Sequence, residues 1–205
     1  MAIKPILFNT EMVRAILDGR KSCTRRLVKT RRKDACGFYV TKKADGTFSG
    51  IYEYDENESM FDNPLMPPYQ PGDILYIRET WSEGYEDGTY IYKADDKLAD
   101  LPTFKESSKL IYHPSIHMPK EAARIWLKVT YVHVERLQDI TIDDIRREGL
   151  SSVAVHAGDM EIALKEWENL WNSTIKKSDL DRHGWDVNPY VWVVEFERCE
   201  KPEGV

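Results

Sequence analysis

Residues 125–134, IWLKVTYVHV, decide how this chain is read. Ile125, Leu127, Val129 and Tyr131 alternate with residues of other character, which puts one apolar face on a long, half-buried β-strand. Working outward, residues 188–198, NPYVWVVEFER, make a strong closing strand, and residues 74–77, ILYI, a third behind the turn residues PGD. Residues 37–55 spell a hairpin that turns at Asp45-Gly46, and Asp87-Gly88 marks a second hairpin that returns through TYIYKA. Residues 95–109 have weak periodicity and read as a surface excursion. The N-terminal KPILFN reads as a short strand. Helices are few. TEMVRAILDG places Met12, Val13, Ile16 and Leu17 on one face, with Asn9 or Thr10 as its cap and Gly19 as its end. Thr141 and Asp144 form a capping box ahead of Gly149, and residues 160–171 carry Met160, Ala163, Leu164, Trp167, Leu170 and Trp171 at helical spacing. Many strands, few helices and no βαβ rhythm predict an α+β, mainly β, fold: a small closed or half-closed β-barrel with helices at its rim.

At 205 residues one well-buried domain is expected. No apolar run reaches membrane-spanning length, and the N-terminus lacks the apolar core of a signal peptide. Cys23, Cys36 and Cys199 are odd in number and without CxxC spacing, which points to reduced thiols and a cytoplasmic protein. His113 and His117 are four apart, but Pro114 between them bars a shared helix face, so no metal site is expected. Neither a phosphate-binding glycine loop nor a GxSxG elbow occurs, and no cofactor is expected.

Charge is unevenly placed. Between Arg20 and Lys33 there are eight Lys/Arg and no acid; with a net −6 overall, the rest of the chain carries −14. Such a balance speaks against a uniformly basic surface tracking a duplex and for a focused positive pocket on an acidic body, fitting a compact anionic ligand or a short RNA segment. Part of the cluster follows a helix C-terminus, where Arg20 and Lys21 also answer exposed carbonyls. A second set joins imidazole, indole and amide groups in loops: Arg78, Glu79 and Trp81; His117; and Trp185 with Asn188. Aromatic rings stack on bases while Glu and Asn read base edges, so this set is a candidate nucleobase pocket, and ordinary rim packing is its structural alternative.

GRKSCTRR at residues 19–26, then PGDILYIRETW, AARIWLKVTYVHVERLQDIT and EGL, together resemble the ASCH family, whose domain is a PUA-like β-barrel; the resemblance runs from Lys4 to Glu197. The additional PSIHMPKEAAR and GWDVNPYVWVVEFE are similar to a longer subgroup found in phages and prophages, and beside the small members of the family the resemblance implies a single domain over residues 1–205 with insertions near 37–66 and 82–113. The resemblance implies a cleft between the loop after the first helix and the Glu-Gly helix end, with RNA, a nucleotide or a modified nucleoside as ligand. Some small ASCH proteins are amidohydrolases that deacetylate N4-acetylcytidine, and the catalytic set carried over is Lys21, Thr24 and Glu148. In that set a threonine hydroxyl attacks once a base takes its proton, and Glu148 orients the lysine or protonates the leaving amine. Arg20, Arg25 and Arg26 are the anion-binding residues beside it. A non-catalytic accessory role in a phage, through a protein interface at an exposed Trp81 or Trp185, is the further alternative.

Overall fold

The computed structural model describes residues 1–84, 88–95 and 111–204. Its centre is a five-stranded sheet in the order β1-β5-β8-β9-β2, made of β1 (Ile3–Leu7), β5 (Ile74–Arg78), β8 (Trp126–Arg136), β9 (Tyr190–Cys199) and β2 (Cys23–Leu27). Only β1 and β5 run parallel; the other neighbours are antiparallel. Two hairpins flank the sheet, β3 (Gly37–Lys42) with β4 (Phe48–Tyr54), and β6 (Trp81–Glu83) with β7 (Tyr90–Tyr92). The helices are α1 (Thr10–Leu17), α2 (Ile142–Arg147), α3 (Val153–Ala157), α4 (Met160–Thr174) and α5 (Leu180–His183). The mixed α+β class is as expected. The hairpin turning at Asp45-Gly46 is present, and so is that between β6 and β7, although its Asp87 and the excursion at residues 95–109 lie almost wholly outside the described residues.

The expected alternation along β8 holds only to Val129. A bulge between Val129 and Tyr131 slips the register against β9, so Val132 faces inward where Tyr131 was expected, and Tyr131 is half exposed, stacked on His133. One extra residue in a strand reverses the facing of everything beyond it. This slip turns His133 and Glu135 towards the face on which α2 and α4 pack, and Glu135 becomes part of the site below.

The strands do not close into a barrel. β1 and β2 end the strand order, and among the described residues no ladder joins them. The inner face is covered instead by a helix and a hairpin. Val13 and Ile16 of α1 pack with Ile6, Leu75, Ile77, Leu127, Val194 and Phe196, while Ile51 of β4 and Val28 pack on Trp192. Once that face is dry, strand closure has no further apolar area to bury. The opposite face of the same sheet carries Val191 and Val193 under Ile145 of α2 and Trp167 and Trp171 of α4.

Local sequence explains both helix ends that matter. Asn9 caps α1 by accepting the Met12 amide at 2.9 Å, and Thr141 and Asp144 cap each other's backbone at the start of α2. Each helix stops at a glycine with positive φ, Gly19 at 75° and Gly149 at 100°. The chain then turns sharply, and the two stops bring Lys21 and Glu148 face to face.

Candidate functional site

Lys21 and Glu148 are 127 residues apart and make an ion pair of 2.6 Å between Nζ and Oε2, with side chains 0% and 1% exposed. The same Nζ donates to the Glu148 carbonyl at 2.9 Å and sits 5.5 Å from the centre of the Phe8 ring. Gly149 makes this approach possible: a Cβ there would stand 2.8 Å from Ala15 Cβ and 3.1 Å from Lys21 Cβ. Arg25, equally buried, ties Glu148 to the sheet. Its Nη1 reaches Glu148 Oε1 at 3.2 Å, its Nε donates to Glu135 Oε1 at 2.8 Å, and Asp144 lies 3.5 Å from Nη2. Burial by itself lowers the Arg25 pKa, but Glu148 and Glu135 together hold it above its ordinary value. Cys23, in the same buried row, has its thiol pushed up to about 12 by burial and by the Glu148 charge, which makes it an inert core residue. Thr24 is buried on β2, and its side chain takes part in no hydrogen bond among the described residues.

The neighbouring strand position differs. Arg26 lies across β2 from Arg25 and faces a groove of about 750 Å³. Tyr69, Trp171 and Trp192 wall this groove, and Lys29 and Lys176 stand on its rim. Arg26 Nη2 donates to the Leu7 carbonyl at 2.9 Å, its guanidinium covers the Phe8 ring at 5.4 Å, and its Nε is shut off from solvent with no partner. Burial lowers its pKa, and no carboxylate lies within ion-pair reach among the described residues. Lys29 and Lys176 also make no ion pair there. A half-buried cation without an anion is an unfavourable arrangement unless a ligand completes it.

The remaining residues singled out from sequence gather elsewhere. Arg20 is paired to Asp18 at 2.9 Å and to the Gly149 carbonyl, beside the Lys21–Glu148 pair. Arg78 clamps a one-turn helix through the Met118 and Ile116 carbonyls at 2.8 and 2.6 Å, and exposed His117 belongs to that turn. Glu79, buried and raised in pKa by that burial, forms a two-pronged pair with Arg124 at 3.0 and 3.1 Å. Trp81 is buried against Met118 and Trp126, with Tyr90 packed across its ring edge. Trp185 is half-buried beside α4, and Asn188, at φ 48°, is a turn residue whose Oδ1 accepts the Gln138 amide at 2.9 Å. None of these seven lines the groove, and each is taken up by an ion pair, by packing or by a turn.

The basic run is therefore three things: an internal ion network at Lys21 and Arg25, a groove lining at Arg26 and Lys29, and a turn at Arg31 and Arg32 whose amides donate to buried Glu53 Oε1 at 2.6 and 3.1 Å. Sequence reasoning missed Glu135 and Asp144 as partners of Arg25, and Tyr69, Lys176 and Trp192 as groove residues. Local sequence marks Asp144 as a capping residue and Trp192 as part of a closing strand, but neither local reading shows what the side chain meets across the fold. Among the described residues no three His, Cys, Asp or Glu side chains are placed to hold a metal, and no helix is long and apolar enough to cross a membrane.

Comparison with protein-family models gives no match, and comparison with curated proteins gives none. Among solved structures, an ASCH domain from Lactobacillus crispatus JV V101 aligns over 96% of this chain and 79% of its own, at 11% identity and a TM-score of 0.40.

Proposed function

We propose that this chain is an ASCH-type, PUA-like domain that binds RNA or a nucleotide in the groove beside β2. One observation carries the reading: Arg26 is a half-buried guanidinium with a sealed, partnerless Nε and, among the described residues, no carboxylate within ion-pair reach, facing a groove that also presents Tyr69, Trp171 and Trp192 and whose acid, Asp179, is met by Arg182 at 2.8 Å. An anion bearing a flat ring answers both halves of that lining, the phosphate at Arg26, Lys29 and Lys176 and the base against the aromatic wall. The sequence resemblance stated above supports the same ligand class.

Arg25 is the wrong residue with which to test this, because it belongs to the internal network. The double reversal Arg26→Glu and Lys176→Glu is expected to weaken binding of a labelled single-stranded RNA at least 10-fold in fluorescence anisotropy. The slope of log affinity against log salt should fall by about 1.4, at roughly 0.7 for each phosphate no longer neutralised. Wild-type protein that ignores RNA at low salt, or a double variant with unchanged affinity and slope, overturns the reading.

A second reading, hydrolysis of an acylated nucleoside such as N4-acetylcytidine, is favoured by the Lys21–Glu148 contact and by Thr24 three residues on. Thr24 Oγ would attack the acyl carbon as Lys21 accepts its proton, the amine leaving with a proton delivered through Glu148, and water would then release the acyl group from the threonine. Binding ranks first because the groove is open while the pair is shut away from solvent, so a substrate must displace packing to reach it. Incubation with N4-acetylcytidine should yield free cytidine with wild-type protein and none with Thr24→Ala; no cytidine from wild type removes this reading. A role as a protein-interface module finds no support at Trp81 or Trp185, since neither indole forms an exposed patch.

A further inference from the structure

We infer that the ligand spans at least two nucleotides, its second base lying in a separate concavity between Arg32, Phe61 and Asn63, with Lys29 on the phosphate between them. The inference rests on the groove reading and extends it to a site supplied by the turn after β2 and the chain after β4.

This second concavity has a volume of about 380 Å³ and is lined by residues 31–32 and 60–63. Its walls are held in place from below. Glu53, 1% exposed, accepts both the Arg31 and Arg32 amides, and Arg31 Nη2 donates to the Asn63 carbonyl at 3.2 Å, joining one wall to the other. The Arg32 guanidinium lies 4.1 Å from the centre of the Phe61 ring, so a flat cation and an aromatic face share the site. Arg32 is met by Asp34 at 3.0 and 2.9 Å, and Asp62 adds a further carboxylate. The balance of charge is thus unsuited to a phosphate and suited to an uncharged ring. The side chains of Asp62 and Asn63 are exposed and make no hydrogen bond among the described residues, which leaves donors and acceptors for a base edge.

Continuity with the groove comes from two chain segments. Lys29, which lines the groove, is two residues from Arg31, a reach of at most about 7 Å. Leu65 and Met66 line the groove while residues 60–63 line the concavity, so one segment forms the wall between the two sites.

The test compares adenosine 5′-monophosphate with the 5′-phosphorylated dinucleotide pApA on the full chain by calorimetry. Wild-type protein should hold pApA at least 10-fold more tightly. Phe61→Ala should remove about 5- to 100-fold of pApA affinity, the range seen when a base loses its aromatic platform, and leave adenosine monophosphate unaffected. Asn63→Ala keeps the carbonyl that receives Arg31, so it should reduce the pApA preference in a protein with unchanged unfolding. Equal affinities for the two ligands in wild type, or variants that weaken both ligands alike, overturn the second site while the groove stands. Failure of wild type to bind either ligand overturns the groove reading and this inference with it.

Discussion

Glu148→Ala lowers the unfolding free energy by about 3–5 kcal/mol, the range for leaving buried charges without their partner. Among the described residues the carboxylate is the only counter-ion that meets Lys21 Nζ, at 2.6 Å, and it also neutralises one edge of Arg25 at 3.2 Å. Deleting it leaves an ammonium shut away from water over the Phe8 ring, with a backbone carbonyl as its remaining hydrogen-bond acceptor. Arg25 keeps Glu135 and Asp144, so most of the loss belongs to Lys21. Two companions separate charge from shape. Glu148→Gln retains an acceptor and should lose less, and Lys21→Met combined with Glu148→Leu should recover much of the stability, since apolar residues of similar volume often replace buried ion pairs at little cost. Urea unfolding at pH 7 measures all three. A loss below about 1 kcal/mol for Glu148→Ala would mean that the pair is not buried as described.

Gly149→Val is the second large effect, expected to cost about 3 kcal/mol or more from backbone strain and overpacking together. Its φ of 100° is one that β-branched residues do not adopt, and the added Cβ would lie 2.8 Å from Ala15 Cβ, an atom with no rotamer through which to retreat. Relief requires α1 and the end of α2 to separate, which would lengthen the Lys21–Glu148 contact. Gly19→Ala provides the control. Gly19 has a φ of 75°, but nothing lies within 4 Å of the place its methyl group would take, so only the conformational penalty of about 1 kcal/mol applies. Thermal unfolding of the two variants side by side separates strain from contact; equal losses would remove the claim that Gly149 is needed for close approach.

Much of the fold was readable from particular residues. Asn9 and Gly19 bracket α1, the Thr141–Asp144 box opens α2, and Gly149 closes it, because capping is chemistry between residues three or four apart. The β3–β4 hairpin follows from Asp45-Gly46 by the same local logic. Tyr131 shows where that logic ends: a bulge depends on the register of the opposing strand, and an alternating sequence does not record it. Helical spacing predicts that the indole of Trp171 is core, and it is buried, yet it also lines the groove, which spacing does not reveal.

The sequence by itself determined the two long strands, the hairpin at Asp45-Gly46 and the caps of α1 and α2, since these are set by neighbours along the chain; that Cys23–Leu27 is a strand and not the expected loop was decided by its pairing with β9. Tertiary structure alone decided which cations are spent and which are free. Lys21 and Arg25 find Glu148, Glu135 and Asp144 more than a hundred residues away, while Arg26, one position on and pointing across the strand, finds no carboxylate among the described residues. In a strand, successive side chains face opposite ways. Whether a positive charge becomes part of the interior or remains open to a ligand therefore depends on what the fold has packed against each face.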